Sequence, residues 1–441
     1  MPYEFANPGI DYPNLPVHSE KRVPPIVKRV LESNNYVIDV HTHYFDMKTI
    51  NKGYFLLRGL KDMVGLKSGE TEGIQFSESD IYRQRAEYEE NWEDGFEASL
   101  SEPALQFHDP SNPTKGFVDV IRMRKLLGMK RMEDLYWHYL NNYSLARQFP
   151  GVPNQNVITT VLMMDLEMGW GLRGKINKTA WMQVDEIKEM ATKFPVLPFL
   201  ACDPRRAVLT NPKENLYSLF NKAFCEGEPF FGVKIYPAMG YYPSDHRLWP
   251  IYEICARLGI PVLSHHGGET VSSDELDCKV YHGTREVSLH FENRTDLAYE
   301  LNNPAHWGIV LEQFPGLKLN LGHFGGYETW SQSTPVPPDK DPQGRKETIF
   351  GFMNKYPNVY ADFSYNLEEE RIVANLKNVI SNDGLILSRT LFGSDFWVVN
   401  PAGDLDQIQA EFISEIDRGV EYLELPKKLC VENPTQYLFG L

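Results

Sequence analysis

An eight-stranded (β/α)8 barrel with a helical insertion after its first strand is the fold class this chain predicts. Three observations carry it. Strand-like and helix-like runs alternate from residue 36 to residue 396, and counting the strand-like ones gives eight. Polar residues gather at the C-terminal ends of several of these runs, the ends that a barrel brings to one mouth. No glycine-rich dinucleotide or phosphate fingerprint follows any strand, which disfavours an open doubly wound sheet.

The first strand reads Tyr36-Val37-Ile38-Asp39-Val40-His41-Thr42-His43, rich in β-branched residues and ending in two histidines. Side chains alternate along a strand, so His41 and His43 should share a face about 6–7 Å apart, close enough to share a metal ion. Two unrelated polar residues at a strand end are the plain alternative. Further strands are predicted at 157–164, 194–202, 230–236, 260–266, 317–326, 359–365 and 385–396, with helices at 183–193, 216–226, 249–258, 307–314, 348–355 and 368–380. About 110 residues separate the first strand from the second, far more than an ordinary connection. Helix-like patterns lie at 79–96, 118–127 and 132–149, so 44–155 is expected to form a helical cap beside the mouth, which shapes a pocket or serves oligomer contacts. The expected division is an N-terminal extension at 1–35, the barrel with its cap at 36–404, and a C-terminal helical extension at 405–441.

With 441 residues, 42% of them hydrophobic, the chain can bury the core of one large domain with insertions. Its net charge of -16, with no concentrated basic run, argues against nucleic acid and anionic membrane and leaves a small molecule as the expected partner. Five cysteines, an odd number without a CxxC pair, speak against a disulfide framework or a four-thiolate zinc site and for a reducing compartment. The first residues do not read as a secretion signal, and no run reaches the roughly 18 apolar residues of a membrane span, so the cytoplasm is the expected location.

The strand ends supply the chemistry. The fifth run closes with Ser264-His265-His266-Gly267, whose histidines face opposite ways; His265 is the better ligand because Gly267 relieves crowding beside it, and His266 reads as a structural histidine bonded to a backbone carbonyl. The sixth closes at His323 and the eighth at Asp395. A carboxylate ending an apolar strand is costly unless it is hydrogen-bonded or binds a cation. His41, His43, His265 and Asp395 together offer three nitrogens and a carboxylate, a set suited to Zn2+ with a water in the remaining position. An imidazole ordinarily titrates near neutrality, which makes His323 the candidate for proton transfer. Tyr236, two residues beyond Lys234 at the end of the fourth run, shares its face and could offer a hydroxyl to the same ligand. Arg205, just past the third run, either clamps an acidic substrate or pairs with Asp203 at the rim.

The segments VIDVHTHYF at 37–45, FFGVKIYP at 230–237, GIPVLSHHGG at 259–268, NPAHWGIVLEQFPGLKLNLGHFGG at 303–326, VYADFSY at 359–365 and LFGSDFW at 391–397 resemble the amidohydrolase superfamily of metal-dependent barrels. Within it they resemble the amidohydrolase-related branch that also holds non-oxidative decarboxylases of the aminocarboxymuconate-semialdehyde type. The likeness spans most of 36–400 and leaves out 44–155. It implies that His41, His43 and His265 bind the metal, that His323 is the sixth-strand histidine, and that Asp395 both binds metal and handles the proton of its water. One Zn2+ per chain is expected, with another divalent ion as the alternative. Lys234 corresponds to a lysine that is carboxylated and bridges two metals elsewhere in the superfamily; here it reads as that bridge, as a cation for a substrate carboxylate, or as half of an ion pair. The expected activity is hydrolysis of an amide, ester or lactone in a small anionic substrate. The alternative is decarboxylation of an aromatic or unsaturated acid, or a related hydration. Homo-oligomers are common among such enzymes.

Overall fold

The computed structural model of the chain describes residues 8–16, 21–46, 48–49, 129, 131–267, 271–330, 344–365, 367, 370–396, 404–419 and 424–441. Eight parallel strands follow one another around the sheet: β1 Val37–Thr42, β2 Val157–Leu162, β3 Val196–Ala201, β4 Gly232–Ile235, β5 Val262–His265, β8 Leu319–Gly322, β9 Val359–Phe363 and β10 Thr390–Phe392. An antiparallel hairpin, β6 Asp277–His282 and β7 Arg285–His290, lies between β5 and β8 in the chain. The first and last barrel strands meet through a parallel bridge between Thr42 and Phe396, where the Asp395 N–H donates to the His41 carbonyl at 2.8 Å. The expected (β/α)8 barrel is the observed fold.

Alternation sorts the side chains into two layers. Ile38, Val40, Ile158, Leu197, Leu263 and Leu391 fill the barrel interior, whereas Val37, Val157, Val196 and Val262 pack outward under the helices. In β1 this parity matters for the site. Ile38 and Val40 point inward, so strict alternation would send Thr42 inward and both histidines outward. The pairing with β2 slips by one residue between Asp39 and Thr42, and this irregularity turns His41 and His43 into the mouth.

Other departures from the sequence reading have local causes. The predicted eighth strand at 385–396 is mostly a helix, Gly384–Arg389, because Asp383 caps it by accepting the Leu385 and Ile386 N–H groups; only Thr390–Phe392 is extended. The sixth strand stops at Gly322, and His323 begins a turn. The β6–β7 hairpin was not foreseen: it is half exposed and joined by two residues, Gly283 at a φ of 64° and Thr284.

Much of the expected cap, 50–128 and residue 130, falls outside the described residues, as do Trp397 and residues 331–343 of the long loop read as a lid. The described end of the insertion, the helix Met132–Asn142, is built into the outer layer, where Tyr136 stacks on Phe194 at 4.3 Å beside the helix Ala180–Lys193. A helix that precedes β1 and the last helix of the chain meet beneath the barrel. Val27 and Val30 of the helix Pro25–Glu32, with Tyr437 and Leu438 of the helix Asn433–Phe439, join the interior cluster, and the Tyr437 hydroxyl donates to the Val262 carbonyl at 3.0 Å. All five cysteines are free thiols. Among the described residues no helix is long and apolar enough to cross a membrane.

Candidate metal centre

The mouth of the barrel holds a file of imidazoles. The rings of His43 and His41 lie 5.4 Å apart, those of His41 and His323 4.7 Å, and those of His323 and His265 4.3 Å. His41, His43, His265 and His323 are all buried, as is Asp395 beside them.

Each ring's outer partner fixes which nitrogen keeps a lone pair. His43 Nδ1 faces the Leu162 carbonyl at 3.1 Å, and a carbonyl can only accept, so Nδ1 carries the proton and Nε2 is basic. His41 Nδ1 faces both oxygens of Asp362 at 3.1 Å, with the same result. The two Nε2 atoms converge on Asp395 Oδ1, at 3.4 Å from His43 and 3.7 Å from His41. Donor atoms of His41, His43 and Asp395 all lie within 4.8 Å of one another. A buried carboxylate facing two imidazole lone pairs is repulsive unless a cation joins them, so this donor set fits a divalent metal. Lys234 supports the fit, since its ammonium already stands 3.3 Å from His41 Nε2 as a cation on the lone-pair side.

His265 stands one ring further along. Its Nδ1 meets His323 Nε2 at 2.8 Å, and His323 Nδ1 faces the Ser364 carbonyl at 3.4 Å and the Ser364 hydroxyl at 3.0 Å. His323 therefore donates through Nδ1 and accepts from His265, which leaves His265 Nε2 a buried atom with no hydrogen-bond partner among the described residues. That nitrogen sits where a Cβ on residue 267 would come within 3.2 Å, so Gly267 does keep its surroundings open. His265 Nε2 is thus ready to bind a cation, although it is not among the atoms that already converge. His266 is tied to the Asn302 carbonyl at 2.7 Å and accepts from Trp307 Nε1 at 3.1 Å, the arrangement of a structural histidine.

Burial lowers the proton affinity of His41, His43, His265 and His323 well below the usual range, with the charge of Lys234 adding to it. Burial also raises Asp395 well above the ordinary carboxylate range, opposed by Lys234, and it lowers Lys234, opposed by Asp395 and Asp362. The backbone is bent to the same purpose: His323 and Asp395 adopt φ values of 61° and 53°, a region costly to residues with a Cβ and held only by surrounding bonds.

Of the other predicted residues, Tyr236 lies with its ring 4.5 Å from that of His265 and 5.9 Å from Lys234 Nζ. Arg205 is spoken for: its Nε and Nη2 bind Asp203 at 3.0 and 2.6 Å, and Nη2 also reaches the Met239 carbonyl at 2.7 Å, the rim ion pair that the sequence left open. Asp362 is the residue that sequence reasoning passed over. It accepts from His41 Nδ1, from Asn320 Nδ2 at 2.7 Å, from the His323 N–H at 3.3 Å and from the Ser364 hydroxyl. A carboxylate at the end of the apolar run VYADFSY was its signal, the same one that marked Asp395.

A family model described as amidohydrolase matches residues 222–438, the part that carries β4 through the C-terminal helix. No curated protein matches. Among solved structures, an uncharacterised TIM-barrel protein of Bordetella bronchiseptica is 15% identical, with 74% of this chain and 91% of that chain covered at a TM-score of 0.43. An amidohydrolase of Burkholderia multivorans with bound zinc is 10% identical, covering 73% of this chain and 92% of its own at 0.42. A 4-oxalomesaconate hydratase of Rhodopseudomonas palustris is 13% identical, covering 92% and 93% at 0.36. These are likenesses of fold alone. From residue 222 to residue 438 the sequence is thus similar to the amidohydrolase family, and that stretch carries the second half of the barrel.

Proposed function

We propose that the chain is a metal-dependent hydrolase in which an activated water attacks the carbonyl of an amide, ester or lactone in a small, carboxylate-bearing substrate. What carries this reading is the convergence of His41 Nε2, His43 Nε2 and Asp395 Oδ1, with the second nitrogen of each imidazole tied to an acceptor. One Zn2+ per chain, held by His41, His43, His265 and Asp395, would polarise the carbonyl and lower the pKa of water.

The chain's own groups divide the rest of the work. Asp395 takes the proton from the attacking water, and its burial makes it able to hold that proton and pass it on. His323 stands beside His41 and assists the leaving group, its ring oriented by Ser364 on one side and His265 on the other. Lys234 binds the substrate carboxylate, with the Tyr236 ring alongside.

One observation favours a second reading, carbon dioxide loss from an aromatic or unsaturated acid or a related hydration. Lys234 Nζ is 3.3 Å from a candidate metal ligand, so a carboxylate paired with it would lie against the reacting centre rather than at a distant anchor. Elemental analysis of the native chain and Asp395→Asn, run beside assays for ester, amide and lactone hydrolysis and for carbon dioxide release, tests both. The expected result is about one zinc per chain, bound at least tenfold more weakly in the variant, with hydrolytic turnover. Carbon dioxide release without hydrolysis would install the second reading. Two metals with a mass increase on Lys234 would replace the single-metal site, and no metal after reconstitution would sink the mechanism.

A further inference from the structure

The hydrolase reading gives the buried carboxylate of Asp39 no task. Asp39 sits in β1 and is fully buried, yet it points away from the mouth toward the helix layer. Its Oδ1 accepts the Ser394 N–H at 2.9 Å and the His41 N–H at 3.3 Å. The first bond holds the turn in which Asp395 is kept at a φ of 53°; the second holds the backbone within the stretch where β1 slips its register and swings His41 inward. A single oxygen thus fixes the main chain at two of the groups that converge in the mouth.

Rotation of the carboxylate would release both bonds at once. Its other oxygen, Oδ2, accepts the hydroxyl of Tyr139 at 3.0 Å, and Tyr139 comes from the outer helix Met132–Asn142. The tyrosine is itself held. Its hydroxyl accepts the Leu145 N–H at 3.3 Å, which directs its own proton to Asp39, and its ring packs 5.2 Å from that of Phe396, the residue after Asp395.

We propose that Asp39 and Tyr139 are a positioning pair which sets, from behind β1, the placement of the His41 backbone and the Asp395 turn relative to each other. Toward the metal the inference rests on the reading above; toward the backbone it stands on its own.

The test is Tyr139→Phe in the full chain, which removes one oxygen and keeps the ring. Two measurements apply: amide hydrogen exchange of the metal-free protein, and the rate at which a zinc-loaded sample gives up Zn2+ to a chelator. Leu140→Ala, a packing change on the same helix that does not touch Asp39, is the control for general loosening. The expected result for Tyr139→Phe is exchange about tenfold faster across 391–396, unchanged exchange in β4 and β5, and zinc release about tenfold faster. In Leu140→Ala any acceleration should not favour 391–396. Unchanged exchange at 391–396, acceleration spread evenly over the barrel, the same pattern in Leu140→Ala, or zinc release at the native rate would each overturn the proposal. If the native chain binds no zinc, the hydrolase reading fails separately and the exchange pattern alone decides the pair.

Discussion

Neighbouring residues of one kind meet opposite fates at the end of β5. His265 keeps a buried nitrogen with no partner among the described residues, while both nitrogens of His266 are used, one on the Asn302 carbonyl and one on the Trp307 indole. Burial pushes the pKa of His266 down to about 3, against 6.5 for a free imidazole, and the Asn302 bond only partly opposes this. The sign follows from proton counting. Between pH 6.5 and about 3 the unfolded chain binds a proton at this position that the folded chain refuses, so stability falls as pH is lowered through that window and is unaffected above it. His266→Gln, which can still donate to Asn302 and accept from Trp307, should lessen the acid dependence of urea unfolding by up to about 1.4 kcal/mol per pH unit. Equal slopes for the two proteins would show that His266 is not the titrating group. At this scale the sequence was readable wherever a charged or imidazole group ended an apolar run, which covers His41, His43, His265, His323 and Asp395. Asp362 carried the same mark and was read only as part of a strand. The partners that choose tautomers, such as the Leu162 carbonyl, come from other strands and leave no trace in local sequence.

Elements place these residues through a few buried bonds between loops. Asn302, just past the helix Arg294–Leu301, is fully buried: its Oδ1 accepts the Ala238 N–H at 3.1 Å and its Nδ2 donates to the Gly267 carbonyl at 2.7 Å. It thereby ties the turn after β4, which follows Lys234 and Tyr236, to the turn after β5, which follows His265. Asn302→Ala leaves a donor and an acceptor buried and unpaired, so destabilisation of about 2–4 kcal/mol is expected by denaturant titration. A change below 1 kcal/mol would mean that water replaces the amide. Strand order and the outer helices were legible because alternation and helical spacing repeat over many residues. The slip in β1 was not, since no glycine or proline marks it and the reading assumed unbroken alternation. The hairpin β6–β7 escaped because its half-exposed strands bury too little apolar surface to stand out.

Over the whole molecule the barrel has one end for chemistry and one for stability. Tyr437 and Leu438 fill the lower end, among the interior residues that begin with Ile38 and Val40. Leu438→Ala should cost about 2–5 kcal/mol through the cavity it leaves. Distant sites act independently, so zinc affinity per folded chain should stay within about twofold of the native value. A joint loss of stability and affinity would show that the two ends are coupled. The eightfold alternation made the overall architecture legible, and a C-terminal helical extension beneath or beside the barrel was expected; that the helix Pro25–Glu32 joins it there was not, because a short amphipathic helix does not declare what it will cover. The bridge between Thr42 and Phe396 has a temporal consequence as well. Asp395 and the β1 histidines are neighbours only across the seam that closes the barrel, and the Asp39–Ser394 bond spans 355 residues of chain. During synthesis the histidines emerge early and remain without their carboxylate until nearly the whole chain has been made. On the proposed metal-dependent reading, tight capture of the ion is expected among the last events of folding, with kinetics that report the docking of the final strand.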